Sequence, residues 1–459
     1  MSELALRVIF PGFVGTSPPD WVRRRAALGL GGVVLFARNV QQPGQLRALN
    51  DALHAERPDL LVAIDEEGGD VTRLEATTGS SYPGNLALGA ANDARLTEEV
   101  AGAMGAALAK AGIDLDLAPV ADVNSNPLNP VIGVRSFGAD SRVVAAQTAA
   151  WVNGMQGAGV AACAKHFPGH GDTAIDSHVA LPVAGEDPHV HALAPFAAAI
   201  DAGVRAIMSA HIVAPTIDDR PATISRRIMS GLLRDELGFE GLAITDGLEM
   251  RALSDGRGVA EGAVLALIAG CDALCVGGGL AGEDVVDAIV LAIDDAVAEG
   301  RLAEQRLREA ASRVDALAAW RTSQGTPSVQ PTDIGLVAAR RAILADGPVH
   351  VADTAVVLRL GSPPSKAAGE VPWGIAPELT ARGVRVGDEG QSLVVVVRDL
   401  HRHPDQRVQV DELLRRRPDV VVVEMGVPAC RPQAARAYIA TYGSSRVCAI
   451  AAAEVMRPA

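Results

Sequence analysis

At 459 residues the chain exceeds one ordinary domain and fits a large barrel plus a smaller unit. Hydrophobic residues make up 49% of it, which excludes global disorder; aromatics make up only 3%, which argues against base-stacking modules and aromatic carbohydrate platforms. A formal charge of −14 and a pI near 5.2 repel a phosphate backbone, so no nucleic-acid partner is expected.

The opening MSELALRVIFPGFVG lacks a basic region followed by a long apolar stretch and a small-residue cleavage site. It reads as the first strand of the fold and not as a signal peptide. Later apolar runs are strand-length or broken by charge, so no membrane span is expected. The five cysteines (Cys163, Cys271, Cys275, Cys430 and Cys448) are odd in number and sit mostly in apolar runs. That usage suits core thiols in a reducing compartment, and a cytoplasmic location is expected. Cys271 and Cys275 have no second Cys or His pair nearby and make no metal motif.

Short apolar or β-branched runs alternate with longer Ala/Leu/Arg/Glu stretches, the pattern of repeated βα units on a parallel sheet. Eight strands are predicted near 7–12, 32–36, 60–65, 114–119, 161–166, 205–211, 242–246 and 273–277. Helices are predicted over 42–56, 92–111, 141–158, 189–202, 225–237 and 258–270. Eight strands with crossovers give the count of a TIM-like (β/α)8 barrel, and no G-x-G-x-x-G follows the first strand to favour an open dinucleotide-binding sheet. A charged amphipathic stretch over 282–320 extends the barrel unit, which is therefore taken as residues 1–320. RTSQGTPSVQP, residues 321–331, is the predicted linker. Beyond it, a helical lead-in at 332–345 and apolar runs at 356–360, 393–397, 420–425 and 446–452 predict a smaller α/β sandwich over 332–459, with no catalytic motif.

Polar residues collect at the predicted C-terminal strand ends, where a barrel of this kind carries its active site. Asp65 closes the third strand, Asp122 follows the fourth with Arg135 further along the loop, and Lys165 and His166 end the fifth. His211 ends the sixth and Asp246 the seventh. The chain has only three lysines (Lys110, Lys165 and Lys366), so a lysine ending an apolar strand directly before a histidine suits a compact ammonium gripping hydroxyls. The next residues, His166 to His178, carry three histidines and two aspartates among glycines. Asp176 and His178 stand two apart, so in an extended loop the carboxylate can orient the imidazole and support its charged form. Those side chains could also ligate a divalent ion, but such barrels draw ligands from several strands, and no H-x-H occurs near the first; no metal and no cofactor are expected.

The run KHFPGHGDTAIDSH (165–178) resembles the signature of glycoside hydrolase family 3, in its bacterial N-acetyl-β-glucosaminidase branch. AIDEEGGDVTRL, APVADVN, VIGVRSFG, MSAHI and ITDGLEM support the resemblance, which spans residue 7 to about 320. It implies a retaining double displacement with Asp246 as nucleophile and His178, polarised by Asp176, as acid/base. It also implies that Asp65, Arg73, Arg135, Lys165 and His166 bind the non-reducing sugar, with His211 near them. The implied substrate is a terminal β-linked N-acetylglucosamine of a small peptidoglycan-derived fragment, with phosphorolysis as the alternative outcome and a metal-dependent hydrolase as a more distant one. Two departures stand out. An arginine of the usual DQEGGRV is Asp70 here, expected to act behind the sugar-facing residues, and TDGLEM replaces an SDDLSM-like loop.

Overall fold

The computed structural model describes every residue except 1, 178, 255, 257, 280, 281, 326–332, 362–366 and 459. Eight parallel strands among the described residues line a barrel: β1 (Ile9–Pro11), β2 (Gly32–Leu35), β3 (Leu61–Ile64), β4 (Leu115–Asp116), β5 (Ala161–Phe167), β6 (Ala206–Ser209), β7 (Leu242–Thr245) and β8 (Leu274–Val276). Each lies within the range expected from sequence to a residue or two. Strands β2 to β7 form a continuous sheet in sequence order. Strand β8 pairs with β1 in the register Ile9–Leu274 and reaches β7 through a bridge between Ala273 and Ile244. The remaining seam is drawn together where the Gly31 N–H donates to the Leu6 carbonyl at 3.2 Å. A Cβ at Gly31 would lie 2.0 Å from the Arg7 carbonyl oxygen, and one at Gly32 2.3 Å from the Phe10 ring, so this approach requires two glycines.

The strands are apolar on both faces because both faces are buried. Val34, Leu61, Ala63, Ala161, Cys163, Ala206, Met208, Ile244 and Cys275 pack in the lumen, while Val33, Leu35, Val62, Ile64 and Ala162 pack against the outer helices. Among those helices are Pro43–Glu56, Ala94–Ala111, Ser141–Gly157, Leu193–Asp201, Arg227–Glu236 and Val259–Ala269, matching the expected ranges. The long stretch expected over 282–320 is two helices, Glu283–Ala298 and Glu304–Ser323. The second closes the base of the barrel: Val314, Leu317 and Ala318 pack on the lumen residues, and Arg205, just before β6, stacks over Trp320 at 5.0 Å. It runs three residues into the segment expected as linker; most of the remainder lies outside the described residues. The chain start also differs from expectation, with a short helix Glu3–Arg7, capped by the Ser2 side chain, preceding β1.

Residues from Ile334 onward build a six-stranded sheet with β9 (Leu344–Asp346), β10 (Thr354–Arg359), β11 (Arg385–Val386), β12 (Ser392–Val397), β13 (Val421–Glu424) and β14 (Ala437–Ala440). Its spatial order is β9-β14-β13-β12-β10-β11, parallel except for edge strand β9. Apolar clusters cover both faces, with Pro404–Arg416 on one and Ala376–Ala381 and Arg446–Met456 on the other, which makes the expected α/β sandwich. One predicted strand is wrong. The run at 446–452 belongs to the helix Arg446–Met456, begun by the Ser445 side chain, which accepts the Cys448 N–H at 3.3 Å. Its small residues divide between the sheet and a second contact with the barrel, a two-sided burial that a short apolar run does not reveal. That contact packs Ala451 and Cys448 with Ala339, Ala342 and Ala87, and Gly335 passes so close that a Cβ would meet the Ser81 carbonyl oxygen at 2.0 Å.

Candidate active site

The C-terminal strand ends open into a cavity of about 450 Å³. Asp65 (after β3), Lys165 and His166 (end of β5), Asp246 (after β7), Arg73 and Arg135 all line it. Phe36 after β2, and Gly278 and Gly279 after β8, also line it. Six of the nine residues singled out from sequence thus converge on one space.

The polar wall is an ion network. Lys165 Nζ lies 2.7 Å from Asp65 Oδ1 and 2.8 Å from Glu67 Oε1. Arg135 grips Glu67 with both arms, Nε to Oε2 at 2.9 Å and Nη2 to Oε1 at 2.7 Å. Burial by itself raises the Glu67 carboxyl, but the adjacent Arg135 and Lys165 outweigh it and hold the group well below its ordinary range. Burial opposes the charge on Lys165 too, and Asp65 and Glu67 override it, so this ammonium stays protonated. Glu67 was not singled out from sequence. It lies two residues after Asp65 in DEEGG, but its partners come from 68 and 98 residues away, and only folding brings them together.

His166 is set by a carboxylate behind it. Its Nδ1–H donates to Asp122 Oδ2 at 2.7 Å, and Asp122 Oδ1 accepts the His170 backbone N–H at 2.6 Å. With Nδ1 committed, Nε2 faces Arg135 and the cavity. His170 is buried, which lowers its pKa to about 4, and its ring is held by Thr173 at 2.6 Å, so it is a neutral strut of the loop.

Asp246 accepts the Gly247 N–H at 2.8 Å. His211, expected beside the sugar, does not line the cavity: it is wholly buried, and its Nε2–H donates to the Gly247 carbonyl at 2.9 Å. It supports the Asp246 turn from behind through this hydrogen bond. Asp176 is half-buried, and its carbonyl accepts the Val179 and Ala180 N–H groups. The following Ser177 lines the cavity, and its carbonyl accepts the Ala252 N–H at 3.3 Å, which folds this loop onto the segment after Asp246. His178 lies outside the described residues. Among the described residues, no cluster of three or more His, Cys, Asp or Glu side chains could hold a metal ion, and no helix is long and apolar enough to cross a membrane.

Behind the wall, Glu66 Oε2 accepts the N–H groups of Arg73 (2.8 Å) and Leu74 (3.0 Å), closing the turn that carries Arg73. Full burial is the main cause that pushes the Glu66 carboxyl up to about 7 from an ordinary 4.5, against these hydrogen bonds. The native state then binds a proton that the unfolded chain has already lost between pH 4.5 and about 7. Stability therefore falls as pH rises through that window, and Glu66→Gln is expected to flatten the fall by about 3 kcal/mol. Urea midpoints at pH 5 and pH 8 for both proteins measure this; an identical slope in the variant would contradict it.

A cavity of this size at the mouth of a (β/α)8 barrel, with a carboxylate beside a wall of paired cations and carboxylates, suits a polar ligand such as a carbohydrate. The Glycosyl hydrolase family 3 N terminal domain model matches residues 23–317. The chain belongs to glycosyl hydrolase family 3. It is a glycoside hydrolase of that family, as the resemblance in sequence implied. A β-hexosaminidase of Alkalilimnicola ehrlichii is 40% identical over 255 residues, covering 53% of this chain and 72% of the relative. Beta-hexosaminidase A of Pseudoalteromonas piscicida is 40% identical over 265 residues; they are 52% of this chain and 44% of that protein, so the match spans less than half of the relative's length. The solved family 3 β-N-acetylglucosaminidase of Paenibacillus sp. str. FPU-7 superposes with a TM-score of 0.89 at 32% identity, covering 100% of this chain and 96% of that one. The likeness therefore includes the C-terminal sandwich.

Proposed function

We propose that the protein is a retaining exo-β-N-acetylglucosaminidase acting on small peptidoglycan-derived fragments in the cytoplasm. One observation carries the chemistry: Asp246 shares a cavity with Asp65, Arg73, Arg135, Lys165 and His166, so a sugar held by the ion network presents a face to a carboxylate. Asp246 attacks the anomeric carbon, and the bond to the leaving oxygen breaks as His178, charged and oriented by Asp176, gives that oxygen a proton. Neutral His178 then takes a proton from water, whose oxygen attacks the anomeric carbon and frees Asp246. The sugar class follows from the names of the relatives, β-hexosaminidases and a β-N-acetylglucosaminidase. Those names also favour water over phosphate as acceptor.

A fluorinated N-acetylglucosaminyl analogue slows the second step and traps the glycosyl-enzyme. Peptide mapping should locate the label on Asp246, and a label on any other residue would overturn the mechanism. Formation of N-acetylglucosamine 1-phosphate in phosphate buffer would replace hydrolysis by phosphorolysis.

A further inference from the structure

The turn that carries Arg73 is held from two sides, and one of them is the C-terminal domain. On the barrel side, Glu66 ties the N–H groups of Arg73 and Leu74, and the Gly69 N–H donates to the Tyr82 carbonyl at 3.0 Å. Gly69 lies so close to Gly84 that a Cβ would come within 2.4 Å of its Cα, so the turn has little room to adjust. At its tip, Asp70 forms an ion pair with Arg398 at 2.6 Å and accepts the Ser444 N–H at 2.8 Å. Both partners follow strands of the C-terminal sheet, Arg398 after β12 and Ser444 after β14. Asp70 and Arg398 are 6% and 9% exposed, so the pair is largely shielded from water and salt.

Three residues on, the Arg73 guanidinium spans the domains. One Nη lies 3.7 Å from Asp65 Oδ2 and donates to the Ala367 carbonyl at 2.9 Å. Ala367, from the C-terminal domain, lines the same cavity as Asp246. The buried Arg73 Nε has no hydrogen-bond partner among the described residues. Asp70 is also the position at which this chain departs from the arginine of the usual motif. The opposite charge now faces an arginine of the second domain.

We propose that Asp70 and Arg398 are positioning residues: through their ion pair the C-terminal domain sets the turn that aims Arg73 at the sugar. This rests on the reading of the cavity as the sugar site. The pair acts on binding and leaves Asp246 untouched, so its signature is a change in KM without a matching change in kcat. A pair serving only as glue between domains would lower the unfolding temperature and leave the affinity of the folded enzyme as it was.

The full chain, its Asp70→Asn and Arg398→Gln variants and the charge-conserving Arg398→Lys are to be compared on a chromogenic N-acetyl-β-glucosaminide, with calorimetric binding of N-acetylglucosamine and thermal unfolding in parallel. Asp70→Asn and Arg398→Gln should each raise KM and the N-acetylglucosamine dissociation constant about tenfold with kcat within about twofold. Arg398→Lys should recover at least half of that loss on a logarithmic scale. Unchanged KM and sugar affinity in the folded variants would overturn the proposal, as would equal falls in kcat and folded fraction. A wild-type enzyme that cleaves and binds normally beside such variants isolates the failure to this pair. A wild-type protein that neither binds nor cleaves the sugar would overturn the reading of the site, and the proposal with it.

Discussion

Asp246→Asn is expected to reduce turnover of an N-acetyl-β-glucosaminide by at least about a thousandfold, with an unchanged thermal unfolding temperature. In the proposed double displacement the amide cannot form the glycosyl ester, so the loss falls on the chemical step. Its oxygen can still accept the Gly247 N–H that Asp246 Oδ1 accepts at 2.8 Å, so the turn keeps its anchor. His211 continues to hold the Gly247 carbonyl from below. Burst and steady-state assays on the folded variant measure the effect. Activity within tenfold of the wild type would remove Asp246 from the nucleophile position.

The second large effect belongs to the network. Lys165 is 2% exposed and supplies charge to both Asp65 and Glu67. Lys165→Met preserves the length of the side chain but leaves two carboxylates sharing Arg135 and, at 3.7 Å, Arg73. Removing one partner of a buried ion group costs about 3–5 kcal/mol, far more than an exposed pair contributes. The variant should therefore lose about that much in denaturant unfolding and bind the sugar weakly. A loss below about 1 kcal/mol would show that the network is solvated in solution. The pH dependence has a definite sign. The Glu67 carboxyl is depressed by Arg135 and Lys165 despite burial, so its contribution is present above about 4.5 and lost as pH falls below it.

Some of this was readable one strand at a time. A parallel strand buried on both faces is largely apolar, so GVVL, LVAI and LAIT announce themselves without any partner, and the aspartate directly after LVAI and after LAIT marks the strand end. Asp65, Lys165, His166 and Asp246 were found that way. Glu67 was missed because nothing in EEGG tells which of two adjacent carboxylates turns inward; the answer comes from Arg135 and Lys165. His211 was misplaced for the converse reason. It follows β6 as Asp246 follows β7, yet its ring is taken up by Thr223 and the Gly247 carbonyl, groups 12 and 36 residues away. The helix Arg446–Met456 was misread because its apolar run faces two different neighbours, which removes the one-sided periodicity that marks a surface helix.

The amino-acid order alone determined the repeating βα architecture, the family resemblance, and the polar strand ends, because each shows in local periodicity or in contiguous motifs. Only the tertiary structure decided which charges meet. Ion pairs are set by distance in space, so the Lys165–Asp65–Glu67–Arg135 network and the Asp70–Arg398 bridge between domains, 328 positions apart, exist only once the barrel has closed and the second sheet has docked on its rim. The sequence thus named six residues that line the cavity, and the packing of two domains determined how they are held.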